Sequence, residues 1–287
     1  MKFGLVVSTQ DALPSAYVVF RDELGRCIER CAELGYDGVE LALRTRAQAD
    51  VNRLRERLTA TGLTIPCIST GQIFAADNLY FTHSDAEVRQ EAVARVVDMI
   101  CLAAEFGAKV NVGRVRGLIQ ANADPRETRQ HYLECVHQCA EIAEPLGVEL
   151  LVEPVNRYEV NFVNSCVEGA EIIQQTGRSC LRLMPDTFHM NIEDVSFRRS
   201  LVETRDLVSY IHVADSNRLA PGWGHLPFHE VFDTLREIGY DGWITAEVLP
   251  LPDPDHAARQ AITYLREHLA GATESSADEP AISTLAD

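Results

Sequence analysis

The feature that most constrains the fold is a repeat of pattern rather than of sequence: a short apolar run followed by an amphipathic stretch, eight times over. The runs are 3–8 (FGLVVS), 38–43 (GVELAL), 65–70 (IPCIST), 108–114 (AKVNVGR), 148–153 (VELLVE), 180–186 (CLRLMPD), 208–215 (VSYIHVAD) and 242–248 (GWITAEV). Helical periodicity follows each one. In 22–35, for example, Leu24, Cys27, Ile28, Cys31 and Leu34 fall on one face. Helices are further predicted at 47–61, closed by Gly62, at 85–106 with Asp85 as N-cap, and at 126–144 and 166–176. The remaining ones fall at 192–205, 228–238 and 256–269. Strands alternating with helices imply a parallel sheet. Eight units within residues 1–270 fit a closed (β/α)8 barrel, a single α/β domain, better than a doubly wound open sheet. Residues 271–287 carry neither period and are expected to form a disordered tail.

Composition narrows the function. Of 287 residues, 46% are hydrophobic, enough for one large core. Against 26 Lys and Arg stand 43 Asp and Glu, a net charge of −17, which leaves no basic footprint for nucleic acid or an anionic membrane. The opening MKFGLVVSTQ is too short in its apolar part for a signal-peptide core, and no run approaches the roughly 18 apolar residues of a membrane span. Eight cysteines with no CxxC pair, among them Cys27/Cys31 and Cys135/Cys139 at helical spacing, read as buried, reduced thiols. A cytoplasmic protein is expected.

In such barrels chemistry sits at the C-terminal ends of the strands. Four consecutive runs place an ionisable residue there: Glu153, Asp186, His212 and Glu247. Each alone would be an ordinary loop-entry acid or core histidine. Together, three carboxylates and an imidazole at one rim would repel or go unpaired, and a single divalent cation is the simplest physical remedy. Oxygen-rich ligands with one His favour Mn²⁺, with Mg²⁺ or Co²⁺ as alternatives, and the absence of thiolate argues against structural Zn²⁺.

The segments around these residues, EPVNRYE (153–159), DTFH (186–189), HVADSNR (212–218) and AE (246–247), resemble the ketose 3-epimerases of the xylose-isomerase-like barrels, over about residues 1–270. A closer resemblance, to the 5-keto-L-gluconate epimerases, rests on STQDA (8–12), GQ (71–72), VRG (115–117), DTFHMNIE (186–193), APG (220–222) and LPLP (249–252). The resemblance implies metal ligands at Glu153, Asp186, His212 and Glu247, and substrate contacts at Glu159, His189 and Arg218. It implies a metal-dependent isomerase that inverts C3 of a ketose or keto-sugar acid of the 5-keto-L-gluconate/D-tagaturonate type. The route would be a metal-stabilised cis-enediolate, with Glu153 and Glu247 as acid/bases on its two faces. A small-molecule sugar or sugar acid is thus the partner, and a homodimer or homotetramer is expected.

Rivals remain open at this point: an aldose–ketose isomerase of the hydroxypyruvate isomerase type, an apurinic-site endonuclease relative, or a non-enzymatic barrel that kept a metal. Glu40 is expected either to touch substrate or to pair with a rim cation. His225 and His229 are expected at the surface, Trp223 at a pocket wall or subunit contact, and 71–84 and 220–228 as rim loops able to act as lids. Period-two alternation puts Arg114 and Arg116 on one face of the fourth run, where they are expected either to pair with a neighbouring rim carboxylate or to send one of the two, Arg116 favoured, to fork onto an anionic group of the substrate.

Overall fold

The computed structural model describes residues 1–269, and the expectation of a disordered tail at 271–287 lies outside them. Each expected run contains a strand: β1 (Lys2–Ser8), β3 (Gly38–Ala42), β4 (Cys67–Ser69), β5 (Lys109–Val112), β6 (Leu150–Val152), β7 (Leu181–Leu183), β8 (Tyr210–Val213) and β9 (Trp243–Ala246). A two-residue strand, β2 (Phe20–Arg21), adds to the end of β1. Their order is β7-β6-β5-β4-β3-β1-β9-β8, all parallel. The circle closes between β7 and β8 through two isolated parallel bridges, Leu183 to Val208 and Asp186 to His212. This is a (β/α)8 barrel in one domain.

Among the described residues ten helices surround it: α1 (Leu24–Leu34), α2 (Val51–Thr61), α3 (Gly71–Asp77), α4 (Ala86–Ala104), α5 (Pro125–Leu146), α6 (Cys166–Thr176), α7 (Thr187–Glu193), α8 (Phe197–Thr204), α9 (Phe228–Glu237) and α10 (Pro254–Leu269). Short polar side chains start several of them. The Asp50 carboxylate accepts from the N–H groups of Asn52 and Arg53, and Asp85 accepts from Glu87, so orphan donors of the first turn are satisfied. Two expectations need correction. The segment after β4 carries a helix, α3, rather than an open loop, and the region at 192–205 is two helices, α7 and α8, the first beginning directly after Asp186.

Side chains on each strand alternate between the barrel interior and the helical layer. On β8, Ile211 and Val213 join the large core under the helices, whereas Tyr210 belongs to a separate interior cluster with Cys67, Leu151 and Met184. Gly4 on β1 permits a close crossing inside the barrel, because a Cβ there would overlap the Thr245 hydroxyl on β9. The interior is therefore filled below and polar above, where His212, Glu40, Ser69 and Asn111 gather, all buried. All eight cysteines are free, and burial pushes thiols such as Cys27 and Cys135 up to about 12, which makes them inert. Among the described residues no helix is long and apolar enough to cross a membrane.

Candidate metal centre

Glu153 follows β6, Asp186 follows β7, His212 lies on β8 and Glu247 follows β9. One ligand atom from each of the four lies within 4.8 Å of the others. His212 Nδ1 faces Glu153 Oε1 at 3.3 Å and Glu247 Oε2 at 3.7 Å. Asp186 divides its oxygens: Oδ1 accepts from the Phe188 N–H at the start of α7, and Oδ2 accepts from Arg218 Nη1 at 2.6 Å. The second Arg218 Nη donates to Glu247 Oε2. Arg218 is itself buried, with a left-handed backbone (φ +62°), and its guanidinium stacks 4.4 Å from the Tyr17 ring centroid.

The charges in this cluster are unequally stabilised. Burial opposes ionisation of Asp186, but Arg218, His189 and His212 outweigh it and hold the carboxyl below its ordinary range. Glu153 is lowered in the same way, by His212 and His189 against burial. Glu247 is the group that loses: burial pushes its carboxyl up to about 8, and Glu153 and Asp186 add to that despite Arg218 and His212. Burial also opposes a charge on His212, yet Glu40, Glu247 and Glu153 hold its imidazole well above the usual range. Three carboxylates thus compete for too little positive charge. Carboxylate oxygens with one imidazole, converging at this spacing, fit a hard divalent cation.

Above the cluster opens a recess. Glu153 and Glu247 line it, whereas Asp186 and His212 do not. His189, Glu159, Arg114 and Tyr17 line it as well. His189 Nδ1 pairs with Asn156 Nδ2 at 2.8 Å, and burial depresses its basicity, so the ring faces the recess as a neutral group. Asn156 also donates to Glu159 Oε1 at 3.2 Å, which Tyr17 reaches at 3.4 Å, while Arg114 lies 3.5 Å from Glu159 Oε2. A recess lined largely by polar and charged side chains suits a small polar ligand.

Of the residues singled out in the sequence, Glu153, Asp186, His212, Glu247, Glu159, His189 and Arg218 come together here. Arg116 does not, and that expectation is corrected. It is fully buried behind the rim and donates to four backbone carbonyls, those of Gly113, Glu153, Phe162 and Val163. Strand β5 ends at Val112, and a 3-10 turn over Arg114–Arg116 turns the two arginines to opposite sides, so only Arg114 reaches the recess. Glu40 does not line the recess: it accepts from Ser69 Oγ and pairs with His212 Nε2 at 2.9 Å inside the barrel.

The long rim segments are fastened rather than free. Phe81 N–H donates to the Val115 carbonyl and Thr82 to that of Leu118. The 220–228 turn is tied to Asp215, whose carboxylate accepts from the N–H groups of Gly222 and Leu226 and leaves no room for a Cβ at position 224. Trp223 packs half-buried on the core, and His225 and His229 are exposed as expected.

Three functional side chains escaped the sequence reading. Asn156 sits within a quoted motif. Asn111, which donates to Glu153 Oε2 at 2.9 Å, was visible as a polar residue at an inward position of an apolar run. Tyr17 lies in an aperiodic loop with no signal at all.

Comparison with known proteins places these features in context. The family model described as xylose isomerase-like TIM barrel matches residues 28–268. D-psicose 3-epimerase of Agrobacterium fabrum is 28% identical over 278 residues, covering 92% of this chain and 92% of that protein. The 3-dehydro-D-guloside 4-epimerase of Escherichia coli is 25% identical over 243 residues, 82% of this chain and 90% of the relative. A crystal structure of a D-psicose 3-epimerase in the presence of D-fructose superposes with TM-score 0.80 at 24% identity, over 94% of this chain and 100% of that one, a likeness of fold.

Proposed function

The chain belongs to the xylose isomerase-like TIM barrel family, and on that premise we propose that it is a divalent-metal-dependent sugar epimerase that inverts C3 of a ketose or keto-sugar acid. The observation that carries the reading is the division of the four ligand residues. Glu153 and Glu247 reach the recess from β6 and β9, while Asp186 and His212 stay beneath it. Inversion at a carbon next to a carbonyl needs a proton removed on one face of a planar intermediate and returned on the other, hence two bases on different sides. The two glutamates meet that requirement, and Asp186 and His212 serve only to hold the ion.

Mn²⁺ is the first choice, with Mg²⁺ or Co²⁺ as alternatives; bound there, it supplies stabilisation for the negative charge that develops on the substrate oxygens. The remaining roles fall to the chain. Arg218 holds the Asp186 and Glu247 carboxylates in place. His189, neutral and fixed by Asn156, offers Nε2 to a substrate oxygen. Glu159, held by Asn156, Tyr17 and Arg114, binds a hydroxyl farther along the sugar. Arg114 is the one arginine or lysine facing the recess among the described residues. It takes the place first assigned to Arg116, as the group that pairs with the carboxylate of a keto-sugar acid of the 5-keto-L-gluconate type.

The test is incubation of the Mn²⁺-loaded protein in D₂O with ketohexoses, ketopentoses and ketohexonates. Deuterium on the CHOH carbon next to the ketone, C3 of a 2-ketose or C4 of a 5-ketohexonate, with the inverted sugar formed is the expected result. Deuterium on the CH2OH carbon of the recovered ketose and on C2 of an aldose formed from it would mean an aldose–ketose isomerase, and no incorporation would end the enzymatic reading.

A further inference from the structure

The buried carboxylate of Glu40 has no role in the chemistry assigned so far. It projects from β3, three strands from β8 along the sheet, and crosses the barrel interior to meet His212. It is wholly buried and does not line the recess. Both of its oxygens are engaged: Oε1 accepts from Ser69 Oγ, and Oε2 stands 2.9 Å from His212 Nε2. The interior layer beneath is fixed as well, since the Tyr210 ring meets His212 edge-on at 5.8 Å and its hydroxyl bonds Thr245 at 2.6 Å.

We infer that Glu40 is the positioning residue of the metal centre: it takes the Nε2–H of His212, and so turns Nδ1 toward the cluster of Glu153, Asp186 and Glu247. The imidazole has two nitrogens, and a ring free to flip would offer either to a cation. A carboxylate acceptor on the Nε2 side fixes which nitrogen keeps its proton and makes the other a stronger donor to the ion. The geometry matches that division. Nδ1 is the nitrogen that faces Glu153 at 3.3 Å and Glu247 at 3.7 Å, and Nε2 has Glu40 as its partner. A carboxylate sealed in the interior is costly on its own, and Ser69 with the imidazole N–H is what makes it tolerable there. The inference rests on the proposed metal site but not on the reaction performed at it.

Two variants and two readouts test it, none involving substrate. Isothermal titration with Mn²⁺ should show Glu40→Ala binding 10–100-fold more weakly than wild type, the usual consequence of losing a partner behind a ligand histidine. Glu40→Gln keeps an acceptor for Nε2–H but no charge, so its affinity should fall between the two. In metal-free protein labelled with ¹⁵N-histidine, wild type should show a slowly exchanging, low-field imidazole N–H for His212 that Glu40→Ala lacks. Wild-type Mn²⁺ affinity in folded Glu40→Ala, or retention of that resonance, would overturn the inference. If the alanine variant does not fold, unchanged affinity in Glu40→Gln does so instead. Wild-type protein that binds no Mn²⁺ would remove both this inference and the proposed function. Protein that binds Mn²⁺ with this Glu40 dependence yet epimerises no sugar would remove only the latter.

Discussion

Asp186 and His212, two of the four proposed ligands, are also the backbone bridge partners across the seam where the barrel closes. No continuous ladder joins β7 to β8. The seam is held by the His212 N–H to the Pro185 carbonyl at 2.9 Å, by the Leu183–Val208 bridge, and by Thr187 Oγ1 donating to the Ala214 carbonyl at 2.8 Å. A cation held by residues on both sides would join the two edges directly.

The first prediction follows from that placement. Saturating Mn²⁺ should raise the thermal midpoint, and chelation should reverse the change. Ligand at 100 times its dissociation constant contributes about 2.7 kcal/mol, or roughly 5–10 °C for a domain of this size. Scanning calorimetry with and without chelator measures it, and an unchanged midpoint would count against a metal at the seam.

Catalysis gives the second. Glu153→Gln and Glu247→Gln should each lower kcat by roughly 10²–10⁴-fold, the contribution of a positioned acid/base. Calorimetric titration of the same variants establishes that metal is present during the assay. More than a tenth of wild-type turnover in either metal-loaded variant rejects a two-base inversion.

Arg114 and Arg116 should separate cleanly. Arg114→Ala is expected to lower kcat/KM for a ketohexonate by tenfold or more, about 1.4 kcal/mol, while neutral ketoses change by only a few-fold. Equal losses on both substrates would assign Arg114 to the support of Glu159 alone. Arg116→Ala instead strips donors from four carbonyls in a dry environment, and urea denaturation should show a loss of more than about 3 kcal/mol.

Acid sensitivity is expected at the opposite end of the barrel. Burial works against ionisation of Glu149, but Lys109 and Ser209 outweigh it and hold the carboxyl below its ordinary 4.5. A carboxyl depressed in the folded state stabilises above its unfolded pKa, and that stabilisation disappears as pH falls through the folded value. Glu149→Gln should therefore be less stable than wild type at neutral pH, by about 1 kcal/mol or less. The difference should shrink as pH falls below the ordinary 4.5 and vanish once the folded carboxyl is protonated, with turnover unaffected, as befits the N-terminal face. A stability gap independent of pH would contradict this account.

Much of this structure could be read in advance because parallel strands buried on both faces appear as uninterrupted apolar runs. An acid or imidazole ending such a run stands out, which is why Glu153, Asp186, His212 and Glu247 were recognisable. Arg116 was misplaced because alternation holds only within a strand, and β5 stops at Val112. Glu40 could not be interpreted because its partner is 172 residues away and met only through the barrel interior. Helix α3 was invisible because its N-cap, Thr70, makes no side-chain cap bond; what fixes it is Gln72, bonded to Ser8 and the Ala42 carbonyl on distant strands.

Asp215 has a consequence for how the recess meets its ligand. By fastening the 220–228 turn from Gly222 to Leu226, its carboxylate keeps the chain that follows Arg218 in one arrangement before any sugar arrives. The entropy of ordering that segment behind Arg218 is lost once, when the protein folds, and not again at each encounter. The turn itself does not line the recess, so a change of sugar preference by substitution would have to come from the residues that do, among them Tyr17 and Arg114.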